Sequence, residues 1–168
     1  MRVNLLAKSF VLGAVATLLV ACGGGSSSNG CVSGGIDCVQ GSVFDAMGVD
    51  GPMADAQLRV VDFPTWIAFN GAGDSLIDAG SIDRSDAQGL ATGVELEQGA
   101  GNGPFLLQFI ADGSTIDTTT GVAPVVSQVY TVISAADFTL DPRPRFYATA
   151  LTTLAVERAK VIAGAGVV

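Results

Sequence analysis

The chain has no histidine. Without imidazole there is no Ser-His-Asp triad, no Cys-His dyad and no histidine-based zinc centre. It also lacks a Gly-x-Ser-x-Gly elbow and a Gly-Lys-Ser/Thr phosphate loop. Basic residues are few, 8 against 16 acidic. Arg2 and Lys8 are the only charges in the first 21 residues, so the rest carries a net charge near −10. Such a surface repels nucleic acid and anionic headgroups, and the remaining cations form no patch. Glutamate occurs only as Glu95, Glu97 and Glu157, and tryptophan only as Trp66. Among 168 residues no apolar run approaches the roughly 20 needed to span a bilayer.

The apolar run from Phe10 to Ala21 follows Met1-Arg2 and Lys8, and ends in Leu19-Val20-Ala21-Cys22. A basic start, a short apolar stretch and small residues before a break mark an export signal. The tetrapeptide resembles the lipobox of bacterial lipoprotein signal peptides. The resemblance implies cleavage before Cys22, a lipid on its sulfur and acylation of its new amino terminus. The competing reading, a transmembrane anchor, would need a longer run and a basic flank. Here Gly23-Gly24-Gly25-Ser26-Ser27-Ser28 follows, a flexible tether by composition. No Asp follows Cys22 as an inner-membrane retention signal. By resemblance to sorted lipoproteins, the outer membrane is the expected address, facing the periplasm or the outside.

With Cys22 lipidated, Cys31 and Cys38 remain. Val-Ser-Gly-Gly-Ile-Asp between them can close a loop, and an exported chain favours a disulfide over two free thiols. The organisation expected is a signal at 1–21, a lipidated and tethered segment at 22–37, one domain at 38–150, and a helix with its tail at 151–168. Within the domain, short apolar runs alternate with turns. Strands are predicted near Gln40–Asp45, Ala56–Val60, Gly93–Glu97, Phe105–Ala111, Val125–Ile133 and Phe146–Ala148, with a turn at Asp112-Gly113. This spacing predicts an all-β, antiparallel sandwich of about seven strands. Leu151, Leu154, Ala155, Val161 and Ile162 recur at the helical period over 152–163, and Gly164 and Gly166 stop that helix. The Pro142–Pro144 segment is read as a stiff arm holding it away from the sheet.

Gly41-Ser42-Val43-Phe44-Asp45, Gly51-Pro52 with Ala56-Gln57-Leu58-Arg59-Val60, and Ser85-Asp86-Ala87-Gln88-Gly89 resemble the carboxypeptidase regulatory-like family. That resemblance implies an immunoglobulin- or transthyretin-like sandwich, an accessory module rather than a peptidase. Ser85 replaces the usual Thr, Leu90 the usual aromatic, and the insert from Asp62 to Ile82 is long. A CNA-B-type isopeptide bond would need a core lysine, and only Lys160 follows the signal. The stretch from Pro104 to Ala155 resembles a set of uncharacterised bacterial lipoproteins.

Three features invite chemistry. Asn70, Asp74, Asp78, Asp83 and Asp86 offer hard oxygens, making Asp83 and Asp86 calcium candidates, although aspartates in turns need no metal. Trp66 and Phe69 would either stack on a glycan or protein partner or pack as a flap. Asp117-Thr118-Thr119-Thr120-Gly121 has the wrong spacing for an aspartic-protease loop and is read as a strand and turn. The expectation is a lipid-anchored, non-enzymatic envelope module, without cofactor or catalytic residue, that binds an envelope protein or glycan. Its rivals are a piece of a larger surface lipoprotein and a glycosidase built on carboxylates alone.

Overall fold

The computed structural model describes residues 42–141 and 143–165. The signal segment, Cys22, the tether and the Cys31–Cys38 pair lie outside the described residues. The chain forms β1 (Val43–Val49), β2 (Met53–Ala54), β3 (Gln57–Asp62), α1 (Phe63–Ala68), β4 (Leu90–Glu95), β5 (Phe105–Ile110), β6 (Ile116–Asp117), β7 (Gln128–Ile133), α2 (Ala135–Leu140), β8 (Arg145–Thr149) and α3 (Ala150–Ala165).

Six strands make one curled sheet in the order β3-β5-β7-β8-β1-β4, and β2 pairs with β6 separately. The expected antiparallel sandwich is corrected here: the sheet is mixed, because β8 runs parallel to β1 from Asp45↔Arg145 to Val49↔Thr149. The reason is topological. β3-β5-β7 is an antiparallel array and β1-β4 an antiparallel pair. β8 fills the space between them, antiparallel to β7, and so must run with β1.

The curl encloses a core. Phe105, Leu107 and Phe109 of β5 and Phe44 and Ala46 of β1 are fully buried in one cluster. β1 approaches β5 so closely that a Cβ on Gly48 would lie 2.7 Å from Phe109 Cγ. β5 is buried on both faces, as its apolar run, interrupted only by Gln108, predicts.

The long insert closes the curl. Beyond α1 the chain passes between the two outermost strands. Leu76 N donates to Val60 O and Leu58 N to Asp83 O on the β3 side. Asp78 N donates to Glu95 O and Glu97 N to Leu76 O on the β4 side. Bridges at Gln57↔Arg84 and Ile77↔Leu96 complete this strap. Both strands' outer backbone groups thereby gain partners, and neither is left as an open template for pairing.

α2 packs Phe138 against Phe44 and Phe146 at the enclosed core, whereas the other side of the sheet carries α1 and α3. Asp62 caps α1 by accepting from Thr65 N at 2.9 Å. Trp66 then packs with Val61, Leu106, Tyr130 and Val156. The stiff-arm reading of residues 142–144 is overturned, because β8 intervenes and α3 lies on β7. Tyr130 N donates to Thr153 Oγ1 at 2.7 Å, and Thr152 Oγ1 donates to Tyr130 O. β7 and β8 share one ladder pair, Tyr130↔Thr149. The two threonine hydroxyls take up strand groups where that ladder ends.

Candidate functional site

The sequence-derived calcium residues separate. Asp78 and Asp83 line a cleft of about 180 Å³ between β3 and the strap, with Gln57, Arg59, Ser75 and Ser81. Asp78 Oδ1 accepts from Gly80 N, and the Arg59 guanidinium donates to Gly73 O. Asp86 spends its Oδ1 on the N–H groups of Gln88 and Leu90 and shapes the turn into β4. Asn70 closes α1 with a φ of 51°. Among the described residues no three His, Cys, Asp or Glu side chains gather as a metal ion requires.

The aromatic pair separates too. α1 turns Trp66 into the core, 2% exposed, where its ring meets Tyr130 edge-on at 5.6 Å. Lys160 Nζ lies 4.4 Å from its centroid on the side of α3. Phe69, one residue past the helix, is 68% exposed. Asp117 accepts from Thr119 N and Thr120 Oγ1, so the threonine-rich loop is a turn held by its own aspartate. Those bonds, led by Thr119 N, keep the Asp117 carboxyl below its ordinary pKa.

Two charge clusters carried no signal in the sequence. Arg84 joins Asp55 at 2.7 Å and Asp112 at 2.8 Å. Its bonds to Asp55 and then Asp112 raise the guanidinium's pKa, and its bond to Asp112 lowers that carboxyl's. Asp45 is held by Arg143 and Arg145. Both are clamps between segments distant in the chain.

An apolar opening lies over β7. Phe63, Thr131, Val132, Thr152, Ala155, Val156 and Ala159 bound a groove of about 270 Å³. Nothing titratable lines it. Its lining is apolar apart from the hydroxyls of Thr131 and Thr152, which suits apolar matter.

The groove runs into the outer side of α3, where the apolar residues that recur at the helical period face out: Leu151 is 76% exposed, Leu154 66%, Val161 69% and Ile162 63%. Val156 is the residue that docks, with Thr152 and Thr153. The period announces a helix, but α3 is apolar on both sides, so apolarity alone does not say which side faces the sheet. No helix among the described residues is long and apolar enough to cross a membrane.

The threonine anchors give a first prediction. Replacing Thr152 and Thr153 together with valine removes two hydroxyl bonds to Tyr130, each worth about 1 kcal/mol. Exchange of amides 154–162 should then speed up at least roughly tenfold while β5 amides keep their rates. Equal exchange in the variant and the parent would mean that Val156 and Trp66 alone hold the helix.

In comparisons with known proteins the chain matches no family model, no curated protein and no solved structure.

Proposed function

We propose that this chain is a lipid-anchored, non-enzymatic cell-envelope module. It is held through Cys22 in the outer membrane and binds or scaffolds through the surface formed by β7, α1 and α3. The observation that carries the binding reading is the apolar groove of Phe63, Val132, Ala155 and Ala159, continuous with the uncovered face of α3 and free of titratable lining. Exposed apolar surface of this extent is a feature of contact sites. The anchoring reading rests on Leu19-Val20-Ala21-Cys22 after a short apolar run.

The domain is further read as a modified carboxypeptidase regulatory-like fold. Two features support that kinship: the β1-turn-β2 arrangement around Gly51-Pro52, and the Asp86–Gly89 turn that opens β4. An envelope protein or a glycan fits the surface. A second reading, part of a larger surface lipoprotein, is favoured by the same uncovered helix face, which a further domain would cover.

Replacing Cys22 with serine tests the anchor. The parent chain should incorporate labelled palmitate in a bacterial host and fractionate with the outer membrane. The variant should incorporate none and accumulate as the uncleaved precursor. A parent chain that takes up no palmitate sinks the anchoring reading.

A further inference from the structure

We propose that the outer face of α3 rests on the phospholipid surface to which the chain is anchored, so that the domain lies on the membrane in one orientation. This rests on the lipid-anchor reading above.

Leu151, Leu154, Arg158, Val161 and Ile162 follow one another at helical spacing and share one side of α3. The four apolar members are all more than 60% exposed, and Ala155 joins them to the groove. Three observations select a lipid surface. The first is where the tether leaves. Ser42 precedes β1 at the sheet end that also holds the start of β8 and the end of β7. From the start of β8 the chain rises to Thr149, and α3 then returns over β7 toward Phe63 and Trp66, with Lys160 above the Trp66 ring. Its last turns therefore lie toward the end from which the anchor departs. Residues 23–37, by composition a Gly/Ser-rich linker, would have a root-mean-square reach of about 20 Å.

The second observation is charge. The chain has 16 acidic and 8 basic residues, yet α3 carries Arg158 and Lys160 against Glu157 alone. Arg84, Arg143 and Arg145 are engaged by aspartates, whereas Arg158 has no ion pair among the described residues. A guanidinium set among leucine and isoleucine suits a phosphate at the headgroup level, with its apolar neighbours buried about 5–10 Å into the interface.

The third observation argues against a second copy of this chain. Arg158 sits midway along the exposed face. In a two-fold pairing of this face, each Arg158 would meet its counterpart near the axis, an uncompensated like-charge contact.

The test uses the lipid-modified chain in vesicles of phosphatidylethanolamine and phosphatidylglycerol at four to one, with brominated acyl chains as quencher. Leu154→Trp places a reporter on the proposed face. Val125→Trp places one at a site 96% exposed on another loop. Trp66 is buried in both variants and supplies a constant background. Flotation with the vesicles reads anchoring, and quenching reads the face. The introduced indole at position 154 should lose roughly half its emission and shift to the blue, while the one at 125 stays as in buffer. Flotation without quenching at 154 overturns the proposal and leaves the anchor standing. Failure to float overturns both. A blue shift at 154 that needs no vesicles and grows with protein concentration would overturn it in favour of self-association.

Discussion

Alanine in place of Phe109 is expected to destabilise the domain by about 4 kcal/mol. The ring is fully buried and its strand pairs on both sides, with Leu58 opposite on β3 and Val129 on β7. Across the curl it meets β1 at Gly48, where an added Cβ would stand 2.7 Å from Cγ and 2.9 Å from Cβ of Phe109. That closeness makes a second measurement decisive. Gly48→Ala alone should cost about 1–3 kcal/mol, because neither strand can retreat without breaking its ladder. In the Phe109→Ala background the 2.7 Å contact with Cγ is gone while the 2.9 Å contact with Cβ remains, so the cost should fall without vanishing. Urea unfolding of the four chains should give a coupling of at least about 1 kcal/mol. Costs that simply add would show that β1 and β5 do not meet across the core.

Asp45→Asn should be the second most damaging change, at about 2 kcal/mol near neutral pH. Its position follows from a bulge. Between Phe44↔Val94 and Ala46↔Ala91 the β4 strand has one residue more than β1. Gly93 absorbs it with a φ of 74°, and its N–H turns to Asp45 Oδ1 at 3.0 Å. Arg143 reaches the same oxygen from Nε and Nη2, and Arg145 approaches Oδ2. Burial pushes this carboxyl's pKa up. The bonds from Arg143, Gly93 and Arg145 outweigh that, and the net shift is downward. A carboxyl lowered by folding adds stability above its unfolded pKa of about 3.9 and loses it as pH falls through the folded value. The gap between parent and variant should therefore be full at pH 6 and narrow as pH falls below the ordinary carboxylate range and through the lowered folded value. A gap that is the same at every pH would assign the effect to shape rather than charge.

The strands were readable where one side of the residue pattern is apolar. Leu58 and Val60 alternate with Gln57 and Arg59, Val94 and Leu96 with Glu95, and all four apolar residues are buried. Phe105–Ile110 reads as a central strand because apolar residues fill both its faces. The turns at Asp86–Gly89 and Asp112-Gly113 were readable because aspartate side chains bond locally to nearby backbone. Pairing partners were not readable. The parallel β1–β8 pair joins segments about a hundred residues apart, and neither strand's own sequence records its neighbour. Residues 72–85 have no alternation, since their backbone, more than their side chains, does the bonding. On α3 the period was readable but the docked side was not, because it is fixed largely by two threonines.

The last strand sets the order in which this protein can be made. β8 stitches β3-β5-β7 to β1-β4, so an emerging chain holds two half-sheets that share no ladder until residues 145–149 arrive. Pairing of such sequence separation is slow to form, because a long loop must close before any contact rewards it. A nascent chain therefore holds its two half-sheets apart until residues 145–149 have been synthesised. Under the export proposed for this chain, that delay would be an asset, because the part entering the channel would still be a thread.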